Sequence, residues 1–94
     1  MIIKRQEHGK QGAFFIEEDG EWIAEMTYHR EGVRKIVVDH TAVSKELKGK
    51  GVGKALVDAA VKFARGKNLL IKPVCPFTKK VLESSADYED VLTR

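Results

Sequence analysis

Cysteine is almost missing from this sequence. Cys75 stands alone, which excludes an internal disulfide and suits a reducing compartment. Proline is nearly as scarce: Pro73 and Pro76, close together, are the two present. Long apolar runs are lacking too, far short of the roughly 20 residues that a membrane span needs. The opening Met1-Ile2-Ile3-Lys4-Arg5 has neither the apolar stretch nor the small-residue cleavage site of a secretory signal. Internal repeats, low-complexity tracts and linkers are absent as well. These absences lead us to expect one cytoplasmic domain over residues 1–94, with no membrane partner.

What is present points the same way. The chain has 94 residues, 43% hydrophobic and 33% charged. A domain this small buries only about 60–65% of the surface its unfolded chain exposes, so its core is thin. The net charge is +3, with a pI near 9.1. That mild excess of base suits an anionic ligand without demanding nucleic acid.

The first half reads as strands. Ile2-Ile3 begins a short one, Ala13 to Ile16 forms a second, and Asp19-Gly20 is a hairpin turn. Glu21 to His29 alternates, with Trp22, Ala24, Met26 and Tyr28 on one face. After a turn at Glu31-Gly32, Val33 to Val43 is a fourth strand rich in β-branched residues. From Val52 the period changes: Val52, Ala55, Leu56, Ala59, Ala60, Phe63 and Ala64 lie at helical spacing, and Gly66 is a stop signal. Leu69 to Pro73 reads as a buried strand, parallel to the fourth because a helix joins them. Thr78 to Ser84 predicts a final short helix with Thr78 as its N-cap. The tail Tyr88 to Leu92 has apolar residues spaced to pack back on the domain. The expected fold is α+β: an antiparallel meander of about four strands, then a βαβ unit, then a short C-terminal helix.

Between the fourth strand and the long helix runs Lys48-Gly49-Lys50-Gly51-Val52-Gly53. Alternate glycines let a backbone take positive φ and approach a ligand closely. The first N–H groups of a helix lack internal partners, and the helix dipole is positive there. A diphosphate can sit on such a loop, with Lys45, Lys48, Lys50 and Lys54 adding charge. Two familiar phosphate loops do not fit. A Walker A loop needs glycine where Lys48 stands and Ser or Thr where Ala55 stands. A dinucleotide fingerprint needs an early βαβ unit and a later acidic residue for the ribose.

This loop resembles motif A of the GNAT acetyltransferases, (Gln/Arg)-x-x-Gly-x-(Gly/Ala), and the likeness extends over about residues 33–75. The resemblance implies a GNAT-like fold and acetyl-CoA as cofactor and donor. Val43, Lys48, Gly49, Lys50, Gly51, Val52, Gly53 and Lys54 would bind it, the loop N–H groups taking the pyrophosphate. The thioester would meet the fourth strand where it splays from the fifth. Asp-His-Thr on the fourth strand and Pro-x-Cys-Pro-Phe after the fifth place the chain nearest a small one-domain branch. It departs from the family in two ways. Lys48 keeps a cation but not the planar fork of Arg. The one or two helices that usually follow the first strand, and help shape the acceptor pocket, are missing.

Acetyl transfer to an amine needs a proton acceptor, an oxyanion donor and a proton for the departing thiolate. His40, late on the fourth strand, and Cys75, just past the fifth, are the expected catalytic residues. A nearby His can raise the thiolate fraction of a Cys. Three roles stay open. His40 is the base and Cys75 a proton donor or nucleophile; or His40 relays protons and Cys75 lines the thioester site; or both are structural. Asp39 is an alternative base, on the face opposite His40 unless a bulge intervenes. Tyr88 reads as a packing aromatic. His8 and His29 have no recognisable partner spacing, and no metal site is expected. The expected activity is N-acetyl transfer to an unidentified amine, of a protein or peptide if the site is open, by a monomer or weak dimer. The alternative is a module that binds CoA or nucleic acid without turnover. His8 to Gly12 contains a Gly-x-x-Gly, but between strands rather than between helices.

Overall fold

The structure, a computed structural model, describes residues 1–93. Four strands form an antiparallel meander: β1 (Lys4–His8), β2 (Gln11–Glu18), β3 (Glu21–Glu31) and β4 (Lys35–Val43). A short turn at Lys45–Leu47 leads to α1 (Val52–Lys67), β5 (Leu70–Pro73) and α2 (Pro76–Glu83). The sheet order is β1-β2-β3-β4-β5, with β5 parallel to β4. The expected α+β architecture is therefore present. Among the described residues no helix is long and apolar enough to cross a membrane.

Several boundaries move, each for a local reason. β1 begins at Lys4 rather than Ile2, leaving Met1 and Ile2 exposed. Val33 belongs to the turn, not to β4, and is 90% exposed. α1 runs past Gly66 and stops at Asn68, whose left-handed φ of 56° lets its N–H reach the carbonyls of Ala64 and Arg65. Asn tolerates that conformation better than most residues. α2 begins two residues earlier than expected, with Cys75 at its N-cap and Pro76 in the first turn, where a fixed φ and a missing N–H cost nothing. The tail returns beside β5: the Ile71 N–H donates to the Val91 carbonyl at 2.6 Å, and the Thr93 N–H to the Ile71 carbonyl at 2.9 Å.

Both helices pack on one face of the sheet. Phe14, Ile16, Met26, Tyr28, Ile36, Val38 and Ile71 meet Leu56, Val57, Ala60, Val61 and Ala64 there. At its β1 end this face carries charge. Glu7 accepts from the Tyr28 hydroxyl at 2.8 Å and from Arg30 Nε at 3.2 Å, while Arg5 lies 4.3 Å from the centroid of Phe63. Among the described residues no helix covers the other face. There Phe15 stacks on Trp22, with ring centroids 4.1 Å apart and planes 11° apart.

Two β-bulges decide which side chains reach which face. The first leaves Ile23 as an extra residue, since Ile16 pairs with Ala24 but Glu17 pairs with Trp22. Trp22 is thereby turned to the uncovered face, away from the core face of Ala24, Met26 and Tyr28 on which simple alternation puts it. The second lies in β4. Tyr28 pairs with Val38 and Thr27 with His40, so Asp39 is the extra residue.

Candidate functional site

β4 and β5 run side by side only as far as Val38 and Pro73. There the Val38 carbonyl accepts from both the Val74 and Cys75 N–H groups at 3.0 Å, and the chain turns into α2. β4 continues to Val43 along β3 and, among the described residues, has no strand on its other side. The gap opens into a cleft of about 450 Å³. Its walls are Thr41 and Val43 of β4, Leu47, Lys48, Gly49 and Gly51 of the loop, Gly53 and Lys54 of α1, and Phe77 and Val81 of α2.

The three alternate glycines have two different reasons. Gly49 and Gly51 sit at φ 80° and 75°, in the left-handed region that side-chain-bearing residues avoid. Gly53 is an ordinary helical residue, but a Cβ on it would lie 2.7 Å from Cζ of Phe77. Gly51 is the N-cap of α1 and no side chain caps this terminus. The first helical bond runs from the Ala55 N–H to the Gly51 carbonyl at 3.0 Å. The N–H groups of Val52, Gly53 and Lys54 therefore have no acceptor within the helix. This terminus meets the chemical needs of a phosphate group, a fit made closer by Lys48 in the wall.

Of the residues expected to bind a cofactor, Val43, Lys48, Gly49, Gly51, Gly53 and Lys54 line this cleft. Lys50 and Val52 border a neighbouring hollow, and the Val52 side chain is buried in the core. Lys54 pairs with Asp58 at 3.0 Å, and the Tyr88 hydroxyl donates to Asp58 at 2.8 Å. Asp58, and after it the Tyr88 hydroxyl, raise the Lys54 pKa and keep its charge. Tyr88 thus braces the cleft through α1, with its ring packed at the margin of the core.

His40 and Cys75 both flank the split, but on opposite faces of the sheet. The Cys75 thiol is buried on the helical face, with Sγ 3.5 Å from Thr41 Oγ1, which lies 3.5 Å from Thr78 Oγ1. Burial pushes the thiol pKa up. The Thr41 hydroxyl, the Thr78 N–H and hydroxyl, and the Phe77 N–H outweigh it, so the net shift is downward. The partners of the thiol are therefore two threonines and the start of α2, not the histidine expected beside it. His40, paired with Thr27, is exposed on the uncovered face. Asp39 follows core Val38 onto that face, the bulge having turned His40 to it as well, and its Oδ2 is 2.9 Å from Nδ1 of His29.

Sequence reasoning missed Thr41, Thr78, Phe77 and the partner of His29. Thr78 lies three residues beyond Cys75, and Phe77 and Val81 are four apart, so a helix opening at Cys75 would have revealed all three. The faces of Thr41 and His40 depend on a bulge, and the His29–Asp39 contact on a strand register, that no residue type announces. Among the described residues no cluster of His, Cys, Asp or Glu is arranged to hold a metal.

Comparison with known proteins agrees with this architecture. The family model described as GCN5-related N-acetyl-transferase matches residues 13–91. A GCN5-like protein of Staphylococcus aureus, assigned as an N-acetyltransferase and solved by NMR in solution, is 41% identical, with a TM-score of 0.77 over 98% of this chain and 87% of that one. The ribosomal-protein-alanine N-acetyltransferase of Brucella melitensis biovar Abortus 2308 shares the fold at 24% identity, with a TM-score of 0.63 over 90% of this chain and 71% of that one. So does a GNAT acetyltransferase of Elizabethkingia anophelis, solved with acetyl-CoA bound: 14% identity and a TM-score of 0.56 over 66% of this chain and 41% of that one. The comparison with curated proteins finds no match. The chain belongs to the GCN5-related N-acetyltransferase family.

Proposed function

We propose that the protein binds acetyl-CoA in the cleft beside β4 and transfers the acetyl group to an amine. The observation that carries this reading is the continuity of the cleft. It runs from the uncapped start of α1, past Lys48 and Lys54, along the open edge of β4 to Thr41. The diphosphate would lie on the N–H groups of Val52, Gly53 and Lys54, with Lys48 and Lys50 offsetting its charge. The pantetheine arm would follow β4, whose far edge has no strand, and bring the thioester to the split after Val38.

At that split the two faces have different parts. Cys75 lies on the helical side, where its thiol can supply a proton to the departing CoA thiolate and regain it from solvent. The amine approaches from the uncovered face, and His40 on that face relays its proton to water. With no helix over this face, it can admit the amine of a peptide or protein chain.

Two measurements test the reading. Acetyl-CoA should raise the melting temperature, since it binds the native state only. No shift at millimolar acetyl-CoA would rule out the cofactor site. Release of free CoA thiol in the presence of a lysine-bearing peptide should follow. Stabilisation with no release from any amine would mark a binding module rather than an enzyme.

A further inference from the structure

The uncovered face carries a side-chain pair that the transfer reaction, as described, leaves unused. His29 of β3 and Asp39 of β4 are joined by the 2.9 Å contact between Nδ1 and Oδ2, although ten residues separate them in the chain. Their side chains are 39% and 41% exposed, so the pair is open to a ligand arriving from solvent. Its position is set by two features. His29 lies opposite Val37, whose other neighbour is Lys72 of β5, in the row just before the last β4–β5 pair. Asp39 is the bulged residue immediately after that pair, where β5 turns away. With Val38 on the core face, Asp39 follows on the open face, and its carboxylate meets the histidine on the lip of the split. The bulge acts one residue later: it turns His40 to the open face as well, where a regular β4 would have put it on the core face.

We infer that His29 is the proton acceptor for the attacking amine and that Asp39 is its positioning residue. This rests on the acetyl-transfer reading above. A carboxylate on Nδ1 holds the neutral ring with its proton on that nitrogen, leaves Nε2 as a free acceptor, and stabilises the imidazolium that forms. As the amine nitrogen bonds to the acetyl carbon, its proton passes to His29 Nε2. The carbon–sulfur bond breaks, and the CoA thiolate takes a proton from Cys75 or from water. His29 then loses its proton to solvent, with His40 diagonally next to it on the same face as the relay. No oxidant or further reactant is needed.

Other charged groups on this face bear on the pair. Glu31 and Lys35 are joined at 2.9 Å, Lys72 lies on β5, and His40 is on β4. From β2 the residue opposite His29 is the uncharged Gln11.

The test uses the whole chain with acetyl-CoA and a lysine-bearing peptide as probe. His29→Gln should lower thiol release about a hundredfold, leave acetyl-CoA stabilisation intact, and remove the low-pH limb of the rate profile. Asp39→Asn should lower release by less, and His40→Gln by less still. Nitrogen-15 NMR should find neutral His29 with its proton on Nδ1 in the parent and in mixed tautomers in Asp39→Asn, a change that a merely structural contact with no acceptor role would not link to rate. If His29→Gln turns over at the parental rate with the parental profile, the inference fails while the acetyl-transfer reading stands. A neutral parental His29 protonated on Nε2 overturns the inference in the same way. If the parent itself neither binds acetyl-CoA nor releases thiol, both fail together.

Discussion

Cys75 shows how a single side chain takes its chemistry from its neighbours. The thiol is 6% exposed, and burial alone would disfavour its charged form. The Thr41 hydroxyl and the opening turn of α2 reverse the sign. The consequence for pH follows from that direction. A group whose folded pKa is depressed adds stability above its ordinary value, here 9.0, and loses it as pH falls through the lower folded value. At neutral pH the effect is therefore on reactivity more than on stability. Thr41→Val keeps the volume and removes one hydroxyl, so the midpoint of alkylation against pH should move upward. The rate with iodoacetamide at neutral pH should fall several-fold, the scale of one hydrogen bond at about 1 kcal/mol. An unchanged alkylation profile in Thr41→Val would show that the helix start alone sets the thiol. Thr41 could not be chosen from the sequence, because alternation from Asp39 and His40 is broken by the bulge between them.

Among the elements, α1 and α2 meet where the glycine loop ends. Phe77, 42% exposed, lies so close to Gly53 that a methyl group there would push the end of its ring aside. Alanine normally stabilises a helix over glycine by about 1 kcal/mol. In this helix displacement of the ring offsets that gain, so Gly53→Ala should leave stability in urea unfolding nearly unchanged. In a Phe77→Ala background the same change should stabilise. Equal effects in the two backgrounds would mean that Phe77 does not hold Gly53. The sequence made these elements readable where one periodicity ran unbroken. α1 followed from Val52 to Ala64 at helical spacing, and the Asp19-Gly20 turn from its two residue types, both at positive φ. It misled where the chain adds a residue without a signal. Ile23 and Asp39 are such insertions, and they reversed the faces of Trp22 and His40. The loop from Lys48 to Gly53 was readable for a third reason: positive φ and an uncapped helix start both leave a mark in composition, whereas Asp39 beside His29 and Thr41 beside Cys75 come from a strand distant in the chain and leave none.

The whole molecule is built from one sheet with helices on a single face. That asymmetry divides the split between β4 and β5 into a helix-covered side and an open side. It also leaves a thin core, so a ligand bound only by the native state adds visibly to stability: at a hundred times its Kd, about 2.7 kcal/mol. For a domain of this size each kcal/mol corresponds to roughly 4–8 °C in Tm. The central claim is that the loop at the start of α1 and the open edge of β4 together hold acetyl-CoA. Amide chemical shifts followed through an acetyl-CoA titration test it most directly. The largest changes should fall at Gly49, Gly51, Val52, Gly53 and Lys54, with a second group at Thr41 to Val43. Saturation with no change at these amides, or changes gathered at the far end of α1 around Arg65 and Asn68, would contradict it.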